Sequence, residues 1–299
     1  MQDGLPDRLI QGMACGGDFR ILAAQTTHTV ETAREILDLA PVAADALGRA
    51  LTGSLLLARL LDKNIRNQYV TLRFEGDGPL GVIIAEGTVS GGARGFVENT
   101  APEDPSLDVS RGIGHGRLTV VRGAPPSGKP YTSQLTLGGG GVAQEITRYL
   151  ITSEQIASAV LLGVLNRREG VAAAGGIIIQ RFPHTTPEAI EAVEAHIKEA
   201  PPLSTIIEKM PIEDVVAQVL HGLDYKQLDP SFNVPLEYRC PCTRERALAP
   251  LALFADDELE SMINEGGQEV VCQFCGRKYS FSADEISRAK THHGDTEKH

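Results

Sequence analysis

Four of the five cysteines in this 299-residue chain fall in its last 60 residues, as Cys240-Pro241-Cys242 and Cys272-Gln273-Phe274-Cys275-Gly276. Two close thiol pairs separated by 29 residues supply four sulfur ligands, the number that Zn²⁺ takes in a closed tetrahedral site. Unligated thiols have no reason to cluster in this way. Residues 251–254 and 257–263 are long enough for one or two helical turns that bring the pairs together. Gly276 suits a tight turn after the second pair, and Tyr279 and Phe281 can pack beneath it. A segment of about 60 residues holds little core of its own. Its folding is therefore expected to lean on one Zn²⁺ per chain, since metal binding in such modules is worth roughly 10–16 kcal/mol.

The setting of the thiols decides between metal, redox and structural roles. The first 25 residues have no basic start followed by an apolar run, so no secretory signal is expected. The most apolar stretch, residues 51–61, is broken by Arg59 and falls short of the about 20 residues a membrane span needs. A cytoplasmic protein is the expectation, and there clustered cysteines favour metal or redox chemistry over structural disulfides. Metal-held thiolates can leave the metal as disulfides when an oxidant reaches them. A disulfide between residues two apart would be tight, strained and easily reduced. A purely structural site has no use for that property, whereas a reversible switch does. Cys15, beside Gly16-Gly17, reads as a small buried or incidental thiol.

Charge divides the chain further. With 42% apolar residues, a chain this long buries a real core, and its length suggests about two domains. The formal charge of -11 is unevenly spread. Residues 1–183 carry 17 basic and 18 acidic groups, residues 184–235 carry 3 and 9, and residues 236–299 carry 8 and 12. The acidity lies in the last two-fifths of the chain, where it disfavours a nucleic-acid surface. Three segments are expected: a nearly neutral core domain at 1–183, a helical linker at 184–235 and a zinc-binding domain at 236–299.

The first segment mixes strand and helix signals. Residues 18–26 form a strand candidate and residues 41–61 an Ala/Leu-rich helix. Residues 68–75 set Tyr69, Thr71 and Arg73 against Val70, Leu72 and Phe74, the period of a half-buried strand. Runs at 80–86 and 93–98 extend it into an antiparallel meander, and residues 116–122 and 133–137 add two strand candidates. A helix candidate at 142–150 precedes apolar segments at 156–165 and 172–182. This irregular order argues for an α+β fold with a mixed antiparallel-sheet and helix core, against a regular βαβ sheet. In the linker, Thr186-Pro187-Glu188 is a helix start, Ile190, Val193 and Ile197 make a thin apolar stripe, and Pro201-Pro202 ends it. A second helix runs from near Pro211 through Val215, Val216, Val219 and Leu220 to Gly222. Short acidic helices with narrow apolar faces depend on packing against something else.

Competing motifs carry little. Residues 123–129 (GAPPSGK) fit seven positions of a phosphate-binding loop, but Pro130 stands where Ser or Thr should hold Mg²⁺. The glycines at 138–141 lack a dinucleotide-binding context and read as a turn. His292-His293 sit in a polar tail and read as solvated. No Ser, His and Asp arrangement stands out, so the chain is not expected to be an enzyme.

The residues 240–246 (CPCTRER) and 272–281 (CQFCGRKYSF) resemble those of the redox-regulated bacterial chaperones of the thirty-three-kilodalton heat shock protein family. The likeness extends to residues 74–80 (FEGDGPL), Arg94-Gly95, Ser153-Glu154-Gln155 and residues 174–180 (AGGIIIQ), and so spans essentially the whole chain. The resemblance implies a holdase that works without ATP. Reduced Cys240, Cys242, Cys272 and Cys275 bind Zn²⁺ and the chaperone is off. Oxidants form the Cys240-Cys242 and Cys272-Cys275 disulfides, zinc leaves, and the linker unfolds. The active protein, a homodimer, then binds unfolding client proteins, without nucleic acid or membrane partners. Unfolding of the linker would expose Ile190, Val193, Ile197, Val215, Val219 and Leu220 as client-binding candidates. The alternative is a zinc-ribbon interaction or nucleic-acid-binding module without redox switching. Charge argues against it, because four thiolates and one Zn²⁺ take the last segment from -4 to about -6.

Overall fold

In a computed structural model the chain forms two compact units, residues 1–239 and 240–299, and residues 5–61, 65, 67–104, 106–123 and 129–294 are described. The first unit runs β1 (Arg8–Ala14), β2 (Phe19–Gln25), α1 (Thr27–Leu37), α2 (Pro41–Ala58), β3 (Tyr69–Gly76), β4 (Val82–Thr88), β5 (Gly92–Val97) and α3 (Val109–Ile113). It continues with β6 (Gly116–Gly123), β7 (Tyr131–Thr136), α4 (Gly141–Thr152), β8 (Ser158–Arg167), β9 (Gly170–Arg181), α5 (Pro187–Glu199), α6 (Leu203–Ile207) and α7 (Ile212–Val219). Three two-residue strands close it: β10 (Lys226–Gln227), β11 (Val234–Pro235) and β12 (Glu237–Tyr238). The α+β class expected from the sequence is the class observed. No helix among the described residues is long and apolar enough to cross a membrane.

Two sheets share this unit. One has the order β10-β1-β2-β9-β8, with β11 also on β1; the other has the order β12-β5-β4-β3-β6-β7. Every pairing is antiparallel except β12 with β5. The meander expected from alternation is β3-β4-β5, with Val70, Leu72 and Phe74 buried and Tyr69, Thr71 and Arg73 half-buried. Helix α2 is buried at 14 of its 18 residues, which makes it a core helix that meets solvent only at Pro41 and, in part, at Val42, Asp45 and Arg49. Its small residues let neighbours approach: a Cβ on Gly48 would meet Val30 and Val164, and one on Gly53 would meet Ile146. The helix ends at Ala58, three residues before the sequence-based limit.

The β1-β2-β9-β8 sheet is covered on both faces. Leu9, Leu22, Ala24 and Ile178 join the core around α2, whereas Ile10, Phe19, Ile21, Ala23, Ala173, Ile177 and Ile179 face a second cluster. That cluster is completed by Val193 of α5, Leu203, Ile206 and Ile207 of α6, and Ile212, Val215, Val216 and Val219 of α7. Strands buried on both faces read as continuous apolar runs, which is why residues 174–180 show no period of two. The Thr186 cap forms as the sequence implies, its hydroxyl accepting from the Ala189 N–H at 3.3 Å. Two bidentate pairs tie α6 and α7 down: Arg8 to Glu213 at 2.8 and 2.6 Å, and Arg167 to Glu208 at 2.7 and 3.0 Å.

The second unit contains α8 (Arg244–Leu248), a 3₁₀ turn (Ala249–Leu253), α9 (Asp256–Asn264), the hairpin β13 (Gly267–Val271) and β14 (Lys278–Ser282), and α10 (Ala283–Gly294). Among the described residues its buried core is small: Leu251, Leu259, Tyr279, Phe281 and Ile286.

Candidate metal centre

The hairpin positions the second cysteine pair. Val271 pairs with Lys278, and the intervening turn is closed by the Cys272 N–H donating to Arg277 O at 2.9 Å and the Gly276 N–H donating to Cys272 O at 2.8 Å. Gly276 sits at φ +66°, the left-handed region where a side chain would be strained. The first pair precedes α8, whose Thr243 hydroxyl caps the helix by accepting from the Arg246 N–H. The Arg246 side chain donates back to Pro241 O at 2.9 Å. Arg244 binds the helix after the first pair to the hairpin and to α10: it donates to Ser280 O at 2.7 Å and to Glu285 of α10 at 2.8 Å, and lies over the Phe281 ring at 4.5 Å. The Ser282 N–H and Arg244 together hold the Glu285 carboxyl down at about 2.

These supports bring all four Sγ atoms within 4.8 Å of one another. Cys240 and Cys272 lie 3.7 Å apart, and Cys242 and Cys275 lie 3.3 Å apart. A tetrahedron of thiolates around an ion at about 2.3 Å has edges of about 3.8 Å, so four sulfurs at this spacing fit zinc in both number and size. The Tyr279 hydroxyl adds a feature that no local pattern signals, donating to Cys242 Sγ at 3.2 Å across 37 positions of sequence. Burial opposes ionisation of Cys242, but hydrogen bonds from Tyr279 and the neighbouring thiols outweigh it and bring that thiol down to about 7. Burial pushes Cys275 up to about 12 and raises Cys240 as well. Cys242 thus ionises more readily than Cys240 and Cys275, an arrangement that a divalent cation would complete by taking the place of their protons.

The other sequence candidates fall elsewhere. Val193, Val215, Val219 and Leu220 are buried in the cluster under α5–α7, and Ile190 and Ile197 are half-buried against it. Cys15 is in the first unit; burial, Asp18 and Asp224 all raise its thiol above its ordinary range, which makes it a poor nucleophile. The glycines at 138–141 are a tied turn, the Gly138 N–H donating to the buried Glu145 carboxylate at 2.7 Å. The phosphate-loop-like segment lies outside the described residues from 124 to 128, as do the side chains of His292 and His293.

Comparison with known proteins places these features in a family. Residues 7–282 match the family model described as Hsp33 protein. The chain is 42% identical over 292 residues to the 33 kDa chaperonin of Thermus thermophilus, a match covering 93% of this chain and 85% of the relative. It is 37% identical over 286 residues to the 33 kDa chaperonin of Deinococcus radiodurans, covering 93% and 96%. The crystal structure of the 33 kDa chaperonin from Thermotoga maritima matches with a TM-score of 0.86 at 31% identity, covering 97% of this chain and all of that one.

Proposed function

The chain belongs to the Hsp33 protein family, a family of chaperones, and on that premise we propose that it is a redox-regulated, ATP-independent holdase of the cytoplasm with no catalytic activity of its own. The observation that carries the redox reading is the convergence of four thiols within 4.8 Å in a unit with five buried core residues among those described. Bound zinc supplies a fourfold cross-link that holds the sulfurs as thiolates. Cys240, Cys242, Cys272 and Cys275 provide the ligands, Tyr279 donates to the Cys242 sulfur, and Arg244 ties α8 to the hairpin. Oxidation pairs Cys240 with Cys242 and Cys272 with Cys275, each pair giving two electrons to the oxidant, and sulfurs so paired no longer ligate the metal. With the cross-link lost, the unit at 240–299 loosens, and the arm at 184–235 opens beside the core at 1–183. The open arm offers Ile190, Val193, Ile197, Val215, Val219 and Leu220 to unfolding clients, and the active form is a homodimer.

Zinc release and free thiols are measured before and after peroxide with mild heat, alongside suppression of aggregation of an unfolding client. The expected result is one zinc released and four thiols lost per chain, with suppression only in the oxidised sample. Full suppression by the reduced, zinc-loaded protein would refute the switch.

A further inference from the structure

Residues 225–239, the stretch just before Cys240 in sequence, lie along one edge of each sheet. Against β1, Lys226 and Gln227 pair with Met13 and Gly12, and Val234 and Pro235 pair with Leu9 and Arg8. The Leu228 N–H donates to Gln11 O at 2.8 Å and the Leu236 N–H to Asp7 O at 3.1 Å. Against β5, the Glu237 N–H donates to Gly91 O at 3.1 Å and the Arg239 N–H to Ala93 O at 2.8 Å. The Tyr238 hydroxyl then does what the next strand residue would do, donating to Gly95 O at 3.0 Å and accepting from the Gly95 N–H at 3.4 Å. Carbonyls at alternate positions 91, 93 and 95 are thus satisfied from one side by this strap.

The strap imitates a strand but holds weakly. Its pairings come in two-residue pieces, separated by a 3₁₀ turn at Pro230–Phe232, and Pro230 and Pro235 have no N–H to give. Leu236 is its single fully buried side chain, at 7% exposure, while Val234 and Tyr238 are partly buried against the same core and Tyr225, at its start, against the cluster under α5–α7. Segments with many backbone hydrogen bonds and little buried apolar area open first. An uncovered strand edge is a template for any extended chain. The strap itself shows what the edge accepts: Val234, Leu236 and Tyr238 face inward at every second position, with Pro235 and Glu237 outward.

The geometry points to strand addition: the strap occupies a binding edge on β5 and the start of β1, and when it detaches that edge takes an extended segment of an unfolded protein with apolar side chains at alternate positions. This rests on the chaperone reading above and names the form in which a client is held.

The test uses the full-length reduced protein, so that it does not depend on the redox switch. Leu236→Ala removes the buried anchor and Tyr238→Phe removes only the hydroxyl. The probe is a synthetic peptide with apolar residues at alternate positions, set against one of the same composition with its apolar residues consecutive. Both variants are expected to exchange amide hydrogens in 226–239 about tenfold faster or more, to bind the alternating peptide at least about tenfold tighter than the parent, and to regain protection at 92–97 when it binds. Unchanged exchange in the strap, faster exchange without tighter binding, or protection appearing on β7 or β8 would each overturn the inference. An oxidised parent that suppresses aggregation with 226–239 still protected would overturn it too, leaving the switch intact. Peptide binding by the reduced variants without any oxidative activation of the parent would do the reverse.

Discussion

Replacing Val215 by Ala tests whether α5–α7 open as a unit separate from the core. Val215 has 0% exposure and packs in the cluster with Ile212, Val216 and Val219 against Ile21 and Ile177. The substitution deletes two buried carbons, worth about 0.8 kcal/mol each in transfer, and leaves a cavity beneath a helix that is held from one side. A loss of about 2 kcal/mol follows, equivalent to about a 30-fold larger open fraction. The Arg8–Glu213 pair beside it, about a quarter exposed on each partner, is worth less, about 0.5–1 kcal/mol, so Arg8→Ala should open the arm only about two- to fivefold. Native-state hydrogen exchange of the reduced protein measures both. Amides of α7 should gain exchange by these factors, while those of β3 and β4 stay within twofold. Equal acceleration in α7 and β3 would refute the separation, because it would mean that arm and core open together. A larger effect from Arg8→Ala than from Val215→Ala would refute the ranking of apolar burial over ion pairing.

Three other outcomes are expected. Cys272→Ser removes one of four sulfurs and should weaken zinc binding by orders of magnitude, seen as loss of protection in 267–282 on adding a chelator concentration that leaves the parent intact. Glu208 is held below its ordinary value of 4.5 by its hydrogen bonds from Arg167. A depressed carboxylate stabilises the folded form above its unfolded value and loses that contribution as pH falls through its folded value, so protease sensitivity of α6 should rise below about pH 4.5 in the parent and show less of this acid dependence in Glu208→Gln. Gly87→Ala drives a Cβ into the backbone of Ser54 and Leu55, where α2 crosses β4; a cost of about 1–3 kcal/mol in denaturant unfolding is expected, with the thiol count and zinc content of the second unit unchanged.

How far the sequence reveals this molecule depends on whether the deciding interaction is local. The β3-β4-β5 meander is legible because one face of those strands is buried and the period of two survives. The Thr186 cap and the cysteine cluster are legible for the same reason: the groups that make them lie close together in sequence or repeat a ligand spacing. Strand β1 and helix α1 have no equally clear mark. Gln11 is buried within β1, and α1 gains its N-terminal hydrogen bonds from Asp7, whose carboxylate accepts from the Thr29 N–H at 2.6 Å across 22 positions. Helix α6 follows Pro201-Pro202, where a stop signal hides a restart that only the apolar floor of β9 makes worthwhile. The strap strands are two residues long and exist only because the β1 and β5 edges are there to receive them. Tyr279 reads locally as a core aromatic, and its hydroxyl acquires a role only once the hairpin faces Cys242.

The acidity of the arm acquires a physical sense from the same geometry. On α5 the apolar stripe of Ile190, Val193 and Ile197 faces the sheet, and Glu188, Glu191 and Glu194 run along the exposed side at intervals of three. Like charges at this spacing oppose each other by about 0.2–0.5 kcal/mol per pair, an amount partly offset by the Glu194–Lys198 pair, so a helix this short and charged depends on the sheet beneath it. With 9 acidic and 3 basic groups between 184 and 235, the same charge acts again if the arm leaves the sheet. Copies of an opened arm repel one another, which resists self-association through the stripe. A neutral client segment experiences no such repulsion. In the proposed open state, acid groups beside an apolar stripe would therefore let the arm discriminate between a client and another copy of itself.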